Sequence, residues 1–233
     1  MDKHLNQYQR KLRTLLSPAE RRVFERLNTP HKIQDLLDRF PANVLGEREH
    51  TMRSPRRVLR DKKAHCLEGA MLAATALAYH GRPPMLLDLE SADNDYDHIV
   101  ALFSVQDRSA LGGKGKKLWG AISKTNYPVL RWRDPVYKNV RELAMSYFHE
   151  YFLDNGKKTL RRYSGAFNLQ KFDPAKWVVP EKDVDWLAEA LGRAPHFPIA
   201  PPSAFHALRR ASKIEIKSTA LREWTKSGKK NPL

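Results

Sequence analysis

The stretch from Ala64 to Gly81 constrains this chain more than any other. After Cys66 it runs through Ala, Leu and Met residues without a breaker until Gly81, and Pro83 and Pro84 stand behind that. Ala, Leu and Met favour helix, and Gly followed by Pro stops one. The segment is apolar nearly all round, so its helix belongs in the interior. Cys66, the only cysteine, falls where the helix starts, because the residues before it are basic and broken: Ser54-Pro55-Arg56-Arg57, then Arg60-Asp61-Lys62-Lys63. The unpaired amides and the dipole of a helix N-terminus favour thiolate over thiol. The same position also suits a small buried hydrophobe, a common state of free cysteine.

Beyond this helix the chain reads as sheet. Met85 to Leu89 is a strand-like run, and an acidic turn from Ser91 to Asp97 leads to His98, which opens a second apolar, β-branched strand through Val105. A Gly/Lys turn at Gly112 to Lys116 separates this from a third run, Leu118 to Asn126, which is a hairpin signal with a long loop. A cysteine on a helix, a histidine on a strand and a polar residue on the paired strand supply a thiolate, a base and an orienter. In the acidic turn Asp93, Asp95 and Asp97 alternate. They could hold a hard cation, but the glycine and distal glutamate of an EF-hand loop are missing, and a solvated turn is the simpler reading. No metal or cofactor is expected.

Over roughly residues 60 to 126 the chain resembles the transglutaminase-like superfamily, within the papain-like group of cysteine enzymes. There the nucleophile begins a buried helix, the histidine starts the next-but-one element, and an aspartate follows on the neighbouring strand, often a few residues after a tryptophan. Cys66, His98 and the strand of Trp119 match in order and approximate spacing. The resemblance implies Cys66 as nucleophile and His98 as base. Four residues after Trp119, however, stands Ser123 and not aspartate. Asn126 is the other candidate orienter, since papain-like sites use asparagine, and it is placed ahead of Ser123. The resemblance also points to an upstream glutamine as oxyanion donor. Gln34 is the candidate, weighed against a solvent-facing helical glutamine. His65, beside the nucleophile, is not assigned as base, because neighbours at a helix start point in different directions.

The rest of the chain frames this core. Ser17-Pro18-Ala19-Glu20 is a helix start with a capping box, and a further helix follows Thr29-Pro30. Beyond the hairpin, Tyr127 to Trp132 is expected as a strand and Val140 to Phe152 as one amphipathic helix with its aromatics on the sheet. Asp183 to Leu191 reads as a helix, and Pro195 to Pro202 as a stiff connector before a basic, helix-permissive end. The expected organisation is N-terminal helices over 1–45, a transglutaminase-like core over 46–172 and a Pro-rich, basic extension over 173–233. The fold class is α+β, with the cysteine helix packed on an antiparallel sheet.

Lys plus Arg number 42 against 26 Asp plus Glu, a formal charge of +16. Such an excess favours polyanionic partners, and the basic end, with Arg209, Arg210, Lys213, Lys217, Arg222, Lys226, Lys229 and Lys230, is the candidate contact. One cysteine excludes an intramolecular disulfide. No apolar run approaches the ~18 residues of a membrane span and no secretory segment follows Met1, so the expected location is cytoplasmic. The expected function is acyl chemistry on a protein or peptide amide through a Cys66 thioester. The residues leave open whether water or an amine resolves it. Two alternatives stand beside this: a degenerate member of the superfamily that only binds, and a basic nucleic-acid-binding protein.

Overall fold

The computed structural model describes residues 3–42, 51–92, 94–107, 115–219, 221–225 and 229–231. The charged segment Glu47 to His50, the 45/46 boundary, Asp93, the tip of the Gly/Lys turn and Lys226 lie outside them. In chain order the elements are α1 (Lys3–Leu15), α2 (Pro18–Arg26), α3 (Pro30–Asp38), α4 (Pro55–Asp61), α5 (Cys66–Tyr79), β1 (Met85–Ser91), β2 (His98–Gln106), β3 (Lys117–Ile122), β4 (Arg133–Tyr137), α6 (Val140–Met145), β5 (Leu160–Ser164), β6 (Phe167–Asn168), α7 (Asp185–Gly192), β7 (His196–Pro198) and α8 (Lys213–Thr219). This is a mixed α+β architecture with helices packed on an open antiparallel sheet. The strand order is β4-β3-β2-β1-β5-β7, and β6 also pairs with β1.

Side chains alternate across a strand, and here both faces are apolar. Leu86, Ala101, Phe103 and Ile122 join α5 and the N-terminal helices in one core. Met85, Leu87, Val100, Leu102 and Ala121 join Leu143, Tyr147 and Tyr151 in a second core on the opposite face. Helix α5 is the centre of the first: every residue from Leu67 to Tyr79 is buried. It can be apolar all round because α1, α2, α3 and α4 cover the sides that the sheet does not. Trp177, Val178 and Leu187 also enter that core, and β7 extends the sheet, so residues beyond 173 contribute to both. Among the described residues no helix is long and apolar enough to cross a membrane.

The caps that position the site arise from local sequence. At α2, Ser17 Oγ accepts from Glu20 N while a Glu20 carboxylate oxygen accepts from Ser17 N, the expected capping box. Ser54 caps α4, and Pro55 fills its first turn. Lys62 then takes a left-handed conformation, φ 50°, which closes α4 and turns the chain toward α5.

Two expectations over the second core are corrected. Residues 128–130 form a single 3₁₀ turn, and the strand lies further on at β4, with Pro135 inside it. The β4 strand is at the sheet edge, where a residue without an N–H is tolerated. The single helix over Val140 to Phe152 stops at Met145, and 148–150 form a separate 3₁₀ turn. Ser146 Oγ donates to Leu143 O, and the Arg133 guanidinium donates to Ser146 O and Oγ. These bonds compete with the helical ladder at the point where it stops. Tyr147, Phe148 and Tyr151 still join the core on the sheet, while Phe152 is half-buried outside it.

Candidate active site

The site forms where α5 and β2 begin. His65 is the N-cap of α5, with extended backbone, and Cys66 is the first helical residue. The half-buried Cys66 thiol lies 3.9 Å from the carbonyl oxygen of Asp97, the residue before β2. A cavity of about 370 Å³ opens beside it, lined by His65, Cys66, His98, Asn126, Tyr151 and Arg222 among others.

Two imidazoles act on the thiol. Burial alone pushes the Cys66 thiol up, but the nearby His65 and His98 rings and their positive charge outweigh it and lower the pKa to about 5. His98 is buried, and its Nε2 is 2.7 Å from Ser123 Oγ. That bond engages Nε2 and leaves Nδ1 as the other ring nitrogen. Tyr147 packs against the His98 ring edge-on, with centroids 6.3 Å apart.

The orienter expectation is corrected on geometry. Ser123, not Asn126, bonds the His98 ring. Asn126 is occupied elsewhere: its Nδ2 donates to Trp224 O at 2.7 Å and its Oδ1 accepts from Trp224 N at 2.8 Å. Strand β3 ends at Ile122, so Ser123 stands just past the ladder with its hydroxyl free to turn to the histidine. Asn126 is past a further bend and reaches the returning C-terminal chain.

Gln34 is neither the solvent-facing residue nor a donor toward Cys66. It is buried, its Oε1 accepts from Ser123 N at 3.0 Å, and its Nε2 donates to Ser123 O and to Asp38 Oδ1, each at 2.9 Å. Both ends of the amide hold the backbone of one residue, and through it the hydroxyl beside His98.

The acidic turn is structural where it is described. Asp97 Oδ1 accepts from Ser91 N at 2.7 Å and from Ser91 Oγ at 3.2 Å. Asp95 accepts from Tyr96 N and Thr159 Oγ1. These bonds tie the start of β2 to β1 and to the chain before β5. Among the described residues no group of three His, Cys, Asp or Glu side chains is placed to hold a metal ion.

From sequence, Lys124 and His65 have no role at the site, and Glu68 is only a cap of α5 or a partner of its dipole. Lys124 is 1% exposed, and its Nζ donates to Phe40 O at 2.5 Å. Burial, and then the charge of Arg131, lowers its pKa to about 8 against the pull of Asp38 and Glu223. His65 Nε2 is 2.7 Å from Thr51 O. Glu68, fully buried, accepts from Thr51 Oγ1, Arg53 N and His65 N. Helical geometry does not set His65 aside, because an N-cap is not helical and its backbone here is extended. The readable signal was the spacing of His65 and Glu68 across a helix start. No family model matches the chain, and no curated protein matches it in sequence.

Proposed function

We propose that the protein is a cysteine-dependent acyl enzyme that acts on a carboxamide or peptide bond, with the core of a transglutaminase-like fold. The observation that carries this reading is a thiol at a helix start that lines one cavity with two imidazoles, His65 and His98, and the lowering of its pKa to about 5 by those rings supports it. Structural cysteines are inert, whereas nucleophilic ones occupy electropositive, partly accessible places.

In this reading the Cys66 sulfur attacks the amide carbonyl carbon. The carbonyl π pair moves to oxygen, where the first-turn amides of α5 stabilise it. On collapse the C–N bond breaks, and the proton that Cys66 gave to His98 passes to the departing amine. A Cys66 thioester remains. Water then gives a hydrolase and an amine gives a transamidase. Ser123 holds the His98 ring but adds no negative charge, which separates this site from members that carry aspartate.

The test is alkylation of folded protein by iodoacetamide across pH, with hydroxylamine trapping of acyl groups from glutamine-bearing peptides. Alkylation should reach half its maximal rate near pH 5, far below the value of about 8.5 for a free thiol. Hydroxamate formation should require Cys66 and His98. A Cys66 that reacts only after unfolding would remove the enzyme reading.

A polyanion contact is part of the proposal, because Arg209, Arg210, Lys213 and Lys217 are all exposed. Binding to nucleic acid through them should weaken steeply as salt rises. The cytoplasm is the proposed location.

A further inference from the structure

The Cys66 site carries more charge than one cysteine–histidine pair requires. Behind Cys66 stands His65, 7% exposed, with Nε2 on the Thr51 carbonyl. A ring nitrogen that bonds a carbonyl must carry a proton. The other nitrogen, Nδ1, is buried and has no hydrogen-bond partner. His65 adjoins Cys66 at the start of α5, and both side chains line the same cavity, so the charge of the ring acts on the thiol at short range. Behind His65 lies Glu68, whose Oε1 is 3.6 Å from Nε2. Glu68 accepts three hydrogen bonds, as a carboxylate does, and its Oε2 is 3.6 Å from the Arg53 guanidinium. Arg53 in turn is 3.2 Å from Asp61. The signs alternate along the row Asp61, Arg53, Glu68, His65, Cys66 and His98.

We propose that His65, backed by the buried Glu68 carboxylate, is a second imidazolium that holds Cys66 as thiolate, while His98 keeps the proton that is transferred. This deepens the acyl-enzyme reading and rests on it. The carboxylate that is missing beside His98 is present beside His65. Charge balances within the cluster: the thiolate and Glu68 are negative, and the two imidazoliums are positive. The proton on His98 is the one Cys66 lost. The charge on His65 comes from solvent and is matched by Glu68. No bond to His65 forms or breaks in the reaction.

Other groups around the thiol oppose it. Asp88 on β1 and Tyr151 feel the Cys66 charge, and Asp97 adds a further carboxylate to the same region. Burial also disfavours a charged His65. The pull of the neighbouring Cys66, then the charge of Glu68 and the Thr51 carbonyl, outweigh that and raise its pKa above the ordinary histidine value.

The test is the thiolate absorbance of Cys66 against pH, in the full chain, for wild type, His65→Gln, Glu68→Gln and His98→Ala, with the pH profile of hydroxamate formation. His65→Gln retains a donor for Thr51 O and should raise the thiol pKa by roughly two units or more, toward about 8.5. Its activity should fall at neutral pH and recover at higher pH, where the thiolate forms unaided. Glu68→Gln should shift the same limb in the same direction by less, and it serves as the test if His65→Gln does not fold. His98→Ala should lose turnover at every pH. If wild-type Cys66 titrates near 5 and neither His65→Gln nor Glu68→Gln moves it, the role of His65 is overturned and the acyl-enzyme reading stands. If wild-type Cys66 titrates as an ordinary thiol, both fall.

Discussion

Gln34 places both ends of its amide on Ser123, a residue 89 positions away, and this decides what its loss would do. Removing the side chain leaves a buried N–H and a buried C=O without partners, and each such group costs about 1–3 kcal/mol. Gln34→Ala should therefore lower the unfolding free energy by on the order of 2 kcal/mol, read from urea melts. Turnover should fall with it, because the Ser123 hydroxyl loses its place beside His98. A donor to the oxyanion would behave differently, with turnover down and the melt unchanged, and that result would return Gln34 to the oxyanion role. Residue type alone could not separate these cases. Cys66 and His98 were legible because each opens an element, and element starts leave a mark in sequence. The partners of Gln34 and Asn126 were not legible, since both are set by where distant chain returns: the end of β3 for one and Trp224 for the other.

Helix α5 was legible as an element because its composition admits little else. Its contact with the end of β3 was not, and one residue carries it. A Cβ built on Gly69 would lie 2.4 Å from Lys124 Cβ and 3.6 Å from Leu37 Cδ2. The nearest atom is the root of the lysine side chain, not its flexible end, so the backbone past β3 would have to move. A mid-helix glycine costs about 0.5–1 kcal/mol against alanine. That cost is tolerated here because the absent Cβ lets α5 close on Lys124. Gly69→Ala should destabilise the protein by about 1–3 kcal/mol despite the better helix former, as overpacking does. It should also raise the alkylation pKa of Cys66, since the segment that holds His98 through Ser123 is displaced. A urea midpoint at or above wild type would show that the contact has slack. The misplaced ends of α6 and β4 have the same origin as the hidden Gly69 contact. Periodicity gives the face of an element, while its end is set by tertiary bonds such as those of Arg133 to Ser146.

At the scale of the whole molecule, β1 and β7 are joined by a buried pair whose strength depends on pH. Asp88 on β1 is 6% exposed, His196 Nε2 on β7 is 3.3 Å from Asp88 Oδ2, and Asp88 Oδ1 has no partner. Burial, then the charge of Asp97, raises the Asp88 pKa to about 6, with a further push from Cys66 and against the pull of His196. In the unfolded chain an aspartate titrates near about 3.9. The folded state therefore holds this proton more tightly than the unfolded state, and linkage fixes the sign. The contribution of Asp88 to stability is most favourable below pH ~4, falls as pH rises from about 4 to about 6, and then stays unfavourable. A one-unit shift is worth about 1.4 kcal/mol, so two units amount to roughly 2–3 kcal/mol. Glu20, Asp173 and Glu223 have lowered pKa values and lose stability as pH falls, so the total pH profile mixes both signs. The comparison of wild type with Asp88→Asn isolates the one group. Asparagine keeps an oxygen for His196 and carries no charge to desolvate. Asp88→Asn should be more stable than wild type at about pH 8 by on the order of 2 kcal/mol, with the advantage shrinking through about pH 6 and vanishing near about pH 4. Equilibrium urea melts at these pH values would measure it. An advantage that does not change with pH would mean that packing, not ionisation, governs the site. A variant weaker than wild type at the alkaline end would mean that the ion pair with His196 outweighs the cost of burying the carboxylate.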